Sequence, residues 1–299
     1  MAAMLATRTQ HYSGQTVPPL EYKPRRAMLY VPGNEEKKIR KLSNLDVDCA
    51  CLDCEDAVAH NRKVEARQTV TRMLDEVDFG RTEPAVRINS VSSGLAAEDL
   101  RVILKAERLP PTFLLPKVDT MADIDWFAEN VSKGMKLRSH PDKDEVGLFI
   151  YMESALGLLN LRSVLERAVD LAAAPNSFFH LEGIIFGSDD FCADIGATRT
   201  DSASELLYAR QKIIVMAKLF RLQVLDMVHI AFKDTDTLKK QAEEGAKMGF
   251  TGKQCVHPIQ VPIVQQAYSP SEEKVKWAKE LIQAFVDHHD SGQGAFTFR

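Results

Sequence analysis

A basic surplus is missing from this sequence: 38 Lys and Arg face 42 Asp and Glu, for a formal net charge of −4. That balance argues against a generic nucleic-acid binder, whose footprint is basic. No apolar run reaches the length of a membrane span. Cysteine is scarce and odd in number, five in all, which excludes a secreted disulfide framework and favours a reducing compartment. No Walker sequence occurs, and Gly187 and Gly196 do not form a dinucleotide fingerprint. Interdomain linkers, low-complexity tracts and internal repeats are absent as well. What is there, 45% hydrophobic and 27% charged residues over 299 positions, suffices for one large α/β unit or two small ones.

Short apolar runs alternate with longer amphipathic ones. The pattern predicts strands near 27–31, 49–53, 85–89, 113–117, 148–153, 183–187, 223–228 and 253–257. Helices are expected near 35–42, 63–76, 97–106, 122–133, 155–169, 204–220 and 235–248, then 262–267 and 271–288. Strands separated by helical patterns indicate βαβ units and a parallel sheet. Eight of them point to a closed (β/α)8 TIM barrel, with a doubly wound open sheet as the competing architecture. The expected layout is a barrel over 22–290 and a short tail over 291–299. Residues 1–20 hold no acid and one arginine, Arg8; the segment 1–21 reads as a disordered terminus or a mitochondrial transit-peptide remnant. Surface loops are expected over 136–145 and 175–180.

Barrel enzymes place their chemistry at the downstream ends of the strands, and the polar residues of this sequence gather there. Glu153 and Asp190 each follow an apolar run, and two acids so placed suit Mg²⁺, which takes oxygen ligands from one or two carboxylates plus water. A solvated strand end or a helix cap is the plainer reading, and Asp189 competes with Asp190. Arg87, in an apolar setting, must be paired: with a substrate carboxylate or developing oxyanion, or structurally with Glu55 or Asp56. Lys37, Lys38 and Lys41 on the first helix, and Arg62, Lys63 and Arg67 opening the second, could flank a pocket for phosphates or form solvated faces. Cys49, Cys51 and Cys54 lack the partners of a four-ligand site and read as small buried residues, the first two on one strand face. His257, ahead of Pro258, is either a general base or structural.

An ordered set of short motifs adds a resemblance. Leu29-Tyr30-Val31-Pro32-Gly33, Leu52-Asp53-Cys54-Glu55-Asp56-Ala57-Val58, Val86-Arg87-Ile88-Asn89, Leu115-Pro116-Lys117, Phe186-Gly187-Ser188-Asp189-Asp190-Phe191 and Gly249-Phe250-Thr251-Gly252-Lys253-Gln254 occur in that order. Together they resemble the citrate lyase β-subunit-like proteins among the magnesium-dependent acyl-CoA lyases, in particular the animal mitochondrial branch acting on citramalyl-CoA. The resemblance covers roughly 25–296 and implies a (β/α)8 barrel, a homotrimer or multiple of one, and a mitochondrial location. It also implies Mg²⁺ on Glu153 and Asp190. Tyr30, Lys37, Lys41, Arg62, Lys63, Arg67, His257 and Pro258 fall at CoA- or substrate-contacting positions, and Arg87 at the substrate oxygens beside Glu55 and Asp56. Relatives continue beyond the Gly-Ala-Phe-Thr-Phe region to an aspartate expected to be the acid/base, whereas this sequence stops at Arg299. Ala231 stands where relatives often carry an acid.

The implied activity is reversible cleavage of a 3-hydroxyacyl-CoA such as citramalyl-CoA into acetyl-CoA and pyruvate, a 2-oxo acid, with malyl-CoA or malate synthase chemistry as a side activity. Two alternatives remain at this level. One is a CoA-binding pseudoenzyme or non-catalytic subunit; the other is a metal aldolase acting on a free hydroxy-keto acid.

Overall fold

The computed structural model describes residues 11–12, 15–16, 22–138 and 145–290. The expected terminal segment, tail and most of the 136–145 loop fall largely outside them. Eight parallel strands close a barrel: β1 (Ala27–Pro32), β2 (Cys49–Asp53), β3 (Glu83–Arg87), β4 (Thr112–Leu115), β5 (Val146–Met152), β6 (Phe179–Phe186), β7 (Gln223–Asp226) and β8 (Gly252–Cys255). The ring closes where Lys253 pairs with Ala27 in register. The open-sheet alternative is thereby excluded.

Connecting the strands are α1 (Glu36–Arg40), α2 (Lys63–Glu76), α3 (Ala96–Ile103), α4 (Met121–Met135), α5 (Ala155–Ala172), α6 (Ser188–Ile195), α7 (Leu207–Leu219), α8 (Thr235–Met248) and α9 (Val261–Tyr268). Helix starts are chemically specified. Thr120 and Asp123 form a reciprocal capping box on α4, and the Ser154 hydroxyl accepts the Gly157 amide to start α5 directly after Glu153. Pro24–Tyr268 make one compact unit, the barrel. The described residues outside it belong to a second unit, which holds helix α10 (Glu272–Asp290) and a small antiparallel pairing of His11–Tyr12 with Gln15–Thr16.

Strand alternation sorts the side chains into two cores. Met28, Cys49, Cys51, Ala85, Leu114, Phe149, Tyr151, Ile185 and Leu225 pack together as one. Their alternation partners, such as Leu29, Ala50, Leu52, Val86, Phe113, Ile150 and Ile184, join the helices in the other. The three clustered cysteines are buried and free, Cys49 and Cys51 in the first core and Cys54 in the second. Burial pushes all three thiols up, so they are inert packing residues.

The N-terminal end of the barrel is closed by charge. Arg25, 2% exposed, ion-pairs with Glu83 and, at 2.6 Å, with Glu182, and its guanidinium lies 5.0 Å from the Phe149 ring centroid. Thr112 donates to Glu83 or Glu182 at 2.8 and 3.0 Å, and His180 lies 3.1 Å from Glu182. Such a plug serves stability, since barrel chemistry sits at the opposite end.

Candidate active site

The opposite end is built on a hydrogen-bonded floor. The Gln254 amide nitrogen donates to the carbonyls of Phe186 and Asp226, at 2.9 Å each, which fixes its oxygen toward Tyr30. The Tyr30 hydroxyl donates to that oxygen at 2.7 Å and lies 2.6 Å from the Tyr151 hydroxyl. With the Tyr30 proton so used, Tyr151 is the donor of the second bond. The two rings flank the Arg87 guanidinium, at 5.0 and 5.5 Å from their centroids.

Arg87 is almost fully committed. Its Nε and Nη2 donate to the two Asp53 oxygens at 2.7 and 2.6 Å, in the fork arrangement that arginine favours. Asp53 also accepts the backbone amides of Glu55 and Ala57. Only Nη1 points elsewhere, 2.8 Å from Glu55 Oε2 and 3.5 Å from Asp56. The sequence reading weighed Glu55 and Asp56 as partners and missed Asp53. The signal was present, because Asp53 and Arg87 are register partners on neighbouring strands.

Around Nη1 stands a cluster of carboxylates. Glu153, 7% exposed, accepts the Lys117 backbone amide at 2.8 Å through Oε2. The Lys117 ammonium lies 2.9 Å from Glu55, 3.5 Å from Asp190 and 3.8 Å from Asp56. Burial, then the negative charges of Glu55 and Asp190, push the Glu153 carboxyl up to about 8 against the pull of Arg87 and the Lys117 amide. Glu55 is pushed up chiefly by its own burial. Lys117 is held above its ordinary range by Glu55, Asp56 and Asp190, in spite of partial desolvation.

A stability prediction follows for the metal-free protein. Between the ordinary carboxylate range and about 8, folded Glu153 keeps a proton that the unfolded chain has released, so this group's stabilisation falls as pH rises through that window. Urea midpoints should decline from about pH 5 to 8. Glu153→Gln should flatten part of that slope, and an unchanged slope contradicts the assignment.

Asp190 corrects one expectation. It does not end a strand but sits in the first turn of α6, after Gly187 and Ser188. Its neighbour Asp189 is turned into an ion pair with Arg199, whose other donors reach Ser188 and the Val228 carbonyl. Geometry therefore separates the two acids: Asp190 joins the cluster and Asp189 is engaged elsewhere.

The expected phosphate-binding residues are dispersed. Lys37 and Lys41 are exposed and make no ion pair among the described residues. Arg62 is exposed and paired with Glu65 at 2.7 Å. Lys63 is not a free cation: its ammonium donates to the Cys54 and Glu55 carbonyls at 2.9 and 2.6 Å, bracing the loop that carries Glu55. Arg67 is buried, 2.9 Å from the fully buried Asp99, so it belongs to the core. His257 caps the turn Pro258–Gln260 by accepting the Ile259 amide, and its ring stacks on Phe232 at 4.4 Å. That is a structural role for His257; Pro258 is exposed beside it. Ala231 lies exposed after β7 and offers only a methyl group.

The cluster suits a hard divalent cation. Among the described residues, Asp53, Glu55, Asp56, Glu153 and Asp190 face two cations, Arg87 and Lys117, and Arg87 is spent largely on Asp53. Glu55 Oε2 is buried with only the ion pair to Arg87 Nη1, at 2.8 Å, to answer it among those residues. Among the described residues no three His, Cys, Asp or Glu side chains converge into a complete cage. One or two carboxylates completed by water and substrate are how Mg²⁺ is usually held.

Comparison with known proteins bears on this arrangement. The family model for HpcH/HpaI aldolase/citrate lyase matches residues 26–258. Mitochondrial citramalyl-CoA lyase from Homo sapiens is 51% identical over 282 residues, covering 93% of this chain and 81% of the relative. A (3S)-malyl-CoA thioesterase from Cereibacter sphaeroides is 31% identical over 271 residues, covering 91% of this chain and 86% of the relative. Among solved structures, CitE from Mycobacterium tuberculosis, in complex with magnesium, acetoacetate and coenzyme A, superposes with a TM-score of 0.65. It is 27% identical and covers 92% of this chain and 91% of its own.

Proposed function

The chain belongs to the HpcH/HpaI aldolase/citrate lyase family, and from that premise we propose that it cleaves citramalyl-CoA to acetyl-CoA and pyruvate with Mg²⁺ held by Glu153 and Asp190. It is a carbon–carbon lyase. The observation that carries the finer reading is the gathering of these two acids around Lys117, beside Glu55 and the Arg87 nitrogen Nη1 that Asp53 leaves free, at the mouth of the barrel. Bound Mg²⁺ supplies Lewis-acid charge to substrate oxygens.

The chain's own residues do the rest. Cleavage starts when the substrate's 3-hydroxyl gives up its proton. The buried Glu55 Oε2, whose neighbour is Arg87 Nη1 at 2.8 Å, is placed to receive it. The hydroxyl oxygen becomes the carbonyl of pyruvate as the carbon–carbon bond breaks, and the bonding pair moves onto the thioester as an enolate. The proton taken up by Glu55 then returns to the enolate carbon to give acetyl-CoA. Arg87 is held rigid by Asp53 and the tyrosine floor, so Nη1 meets developing oxygen charge without reorganising. Asp56, exposed beside it, adds to the negative rim. Lys37 and Lys41, with Tyr30 at the floor, would receive the CoA portion. Malyl-CoA is the second substrate to try, because a relative acts on it by name.

A homotrimer is the assembly this reading carries; the exposed Leu156 and Leu159 of α5 and Tyr208 and Val215 of α7 are apolar surface available to it. The names of the animal relatives favour a mitochondrial location. The test is turnover of citramalyl-CoA against malyl-CoA with Mg²⁺ and with chelator. Glu153→Gln and Asp190→Asn are each expected to lower the Mg²⁺-dependent rate by at least about 10³-fold. Full activity in either variant overturns the site, and CoA binding without turnover of either ester favours the non-catalytic reading.

A further inference from the structure

Lys117 is the residue of this site that neither the metal nor the substrate assignment uses. The chain reaches it through Pro116, which follows β4, and then turns into the left-handed region, with φ at +54°. For a side chain with a Cβ this conformation costs about 1–2 kcal/mol, so the surroundings must hold it. They do so at two points. Its backbone amide donates to Glu153 at 2.8 Å, while its ammonium bridges Glu55 and Asp56 and approaches Asp190 at 3.5 Å. One residue thus touches both acids of the metal pair, with its main chain on one and its charge near the other. The buried Oε2 of Glu55, ion-paired with Arg87 Nη1 at 2.8 Å, lies in the same cluster.

We propose that the Lys117 ammonium is the resident cation of this carboxylate cluster, and that a divalent ion binds by exchange, drawing Asp190 away from it. The proposal rests on the metal reading above. A cation at this position lets four neighbouring carboxylates stay folded together before metal arrives. It also lowers metal affinity, because every ion bound must break the contact with Asp190. The amide on Glu153 is unaffected by the exchange, so that acid keeps its orientation in both states. Lys117 is a positioning residue in this scheme, acting through Glu55, Glu153 and Asp190.

The test reads metal binding and needs no turnover. Mn²⁺ is titrated calorimetrically into the full chain, without CoA ester, at about 0.5 M KCl, where charges more than a few ångströms apart are screened. Lys117→Met and Lys117→Gln keep a side chain on the same left-handed backbone and remove only the charge. Each is expected to bind Mn²⁺ at least about tenfold more tightly than wild type. Lys38→Met, which removes an exposed charge from α1, should stay within about twofold. Equal or weaker binding in both folded Lys117 variants overturns the exchange. Asp190→Asn separates the two ideas. If it weakens Mn²⁺ binding while neither Lys117 variant tightens it, the metal site stands and the exchange falls. If Mn²⁺ binding is indifferent to Asp190, both fall.

Discussion

Replacing Arg87 with methionine is expected to destabilise the barrel by about 3–5 kcal/mol, the usual cost of stripping a buried charge of its partner. The loss arises because Asp53 is fully buried and Glu55 only 4% exposed, and both face Arg87 across adjacent strands. The guanidinium is stabilised as a cation by Asp53 and the two tyrosines strongly enough to outweigh its own burial. Nothing else nearby can take its place, since Lys117 reaches Glu55 but not Asp53. Arg87→Lys is expected to be only partly better, because an ammonium cannot span both Asp53 oxygens. The diagnostic variant is the double replacement Arg87→Met with Asp53→Asn. It should be more stable than Arg87→Met alone, since the orphaned carboxylate is gone. Urea unfolding of wild type, Arg87→Met, Asp53→Asn and the double variant measures this coupling, and simple additivity would mean that the pair is not the cause. Turnover should be lost in all three variants, because Nη1 is aimed only while Asp53 holds the other two nitrogens.

How much of this was legible in the sequence depended on where the polar residues sat. The bounds of β2, α2 and α8 match the expected 49–53, 63–76 and 235–248, because the apolar period runs through each element although polar residues such as Asp53, Lys63 and Glu76 stand at their ends. The starts of β3 and β6 were placed too late, and for one reason. Glu83, His180 and Glu182 look like loop residues, yet they belong to strands: Glu83 and Glu182 turn to Arg25 in the N-terminal plug, and His180 reaches Glu182. The register shift of β6 near Glu182 adds to the disguise. At the active end, the residues were found but not their backbone. Asp190 was read as a strand end because α6 is only eight residues long and opens with two acids. Lys117 was recognised as part of a motif, while its function depends on a left-handed turn that no periodicity reports. The roles of Lys63 and Arg67 could not be read from charge alone, since one reaches backbone carbonyls and the other a buried aspartate.

Gly187→Ala should remove metal binding while leaving the barrel folded. Gly187 has φ −83° and ψ 80°, which an alanine can adopt, so the effect is not one of backbone freedom. It is one of space. A Cβ at this position would overlap Glu153 Oε1, Cγ and Cδ, far inside van der Waals contact. Glu153 has little room to yield: Oε2 is held by the Lys117 amide, and the next residue, Ser154, is fixed as the cap of α5. The carboxylate must therefore swing out of the cluster, and a displacement of about 1 Å at a reacting centre costs about 10²-fold in rate. Because Glu153 is expected to hold the metal as well, Mn²⁺ affinity and Mg²⁺-dependent turnover should each fall by at least about 10²-fold. The accompanying stability loss should be about 1–3 kcal/mol, as for other overpacked sites. Gly80→Ala provides the contrast. Its φ of +58° disfavours alanine, but nothing lies within 4 Å of the new Cβ, so it should cost about 1 kcal/mol and leave metal binding untouched. A Gly187→Ala protein that binds Mn²⁺ normally would show that Glu153, as oriented here, is not the ligand.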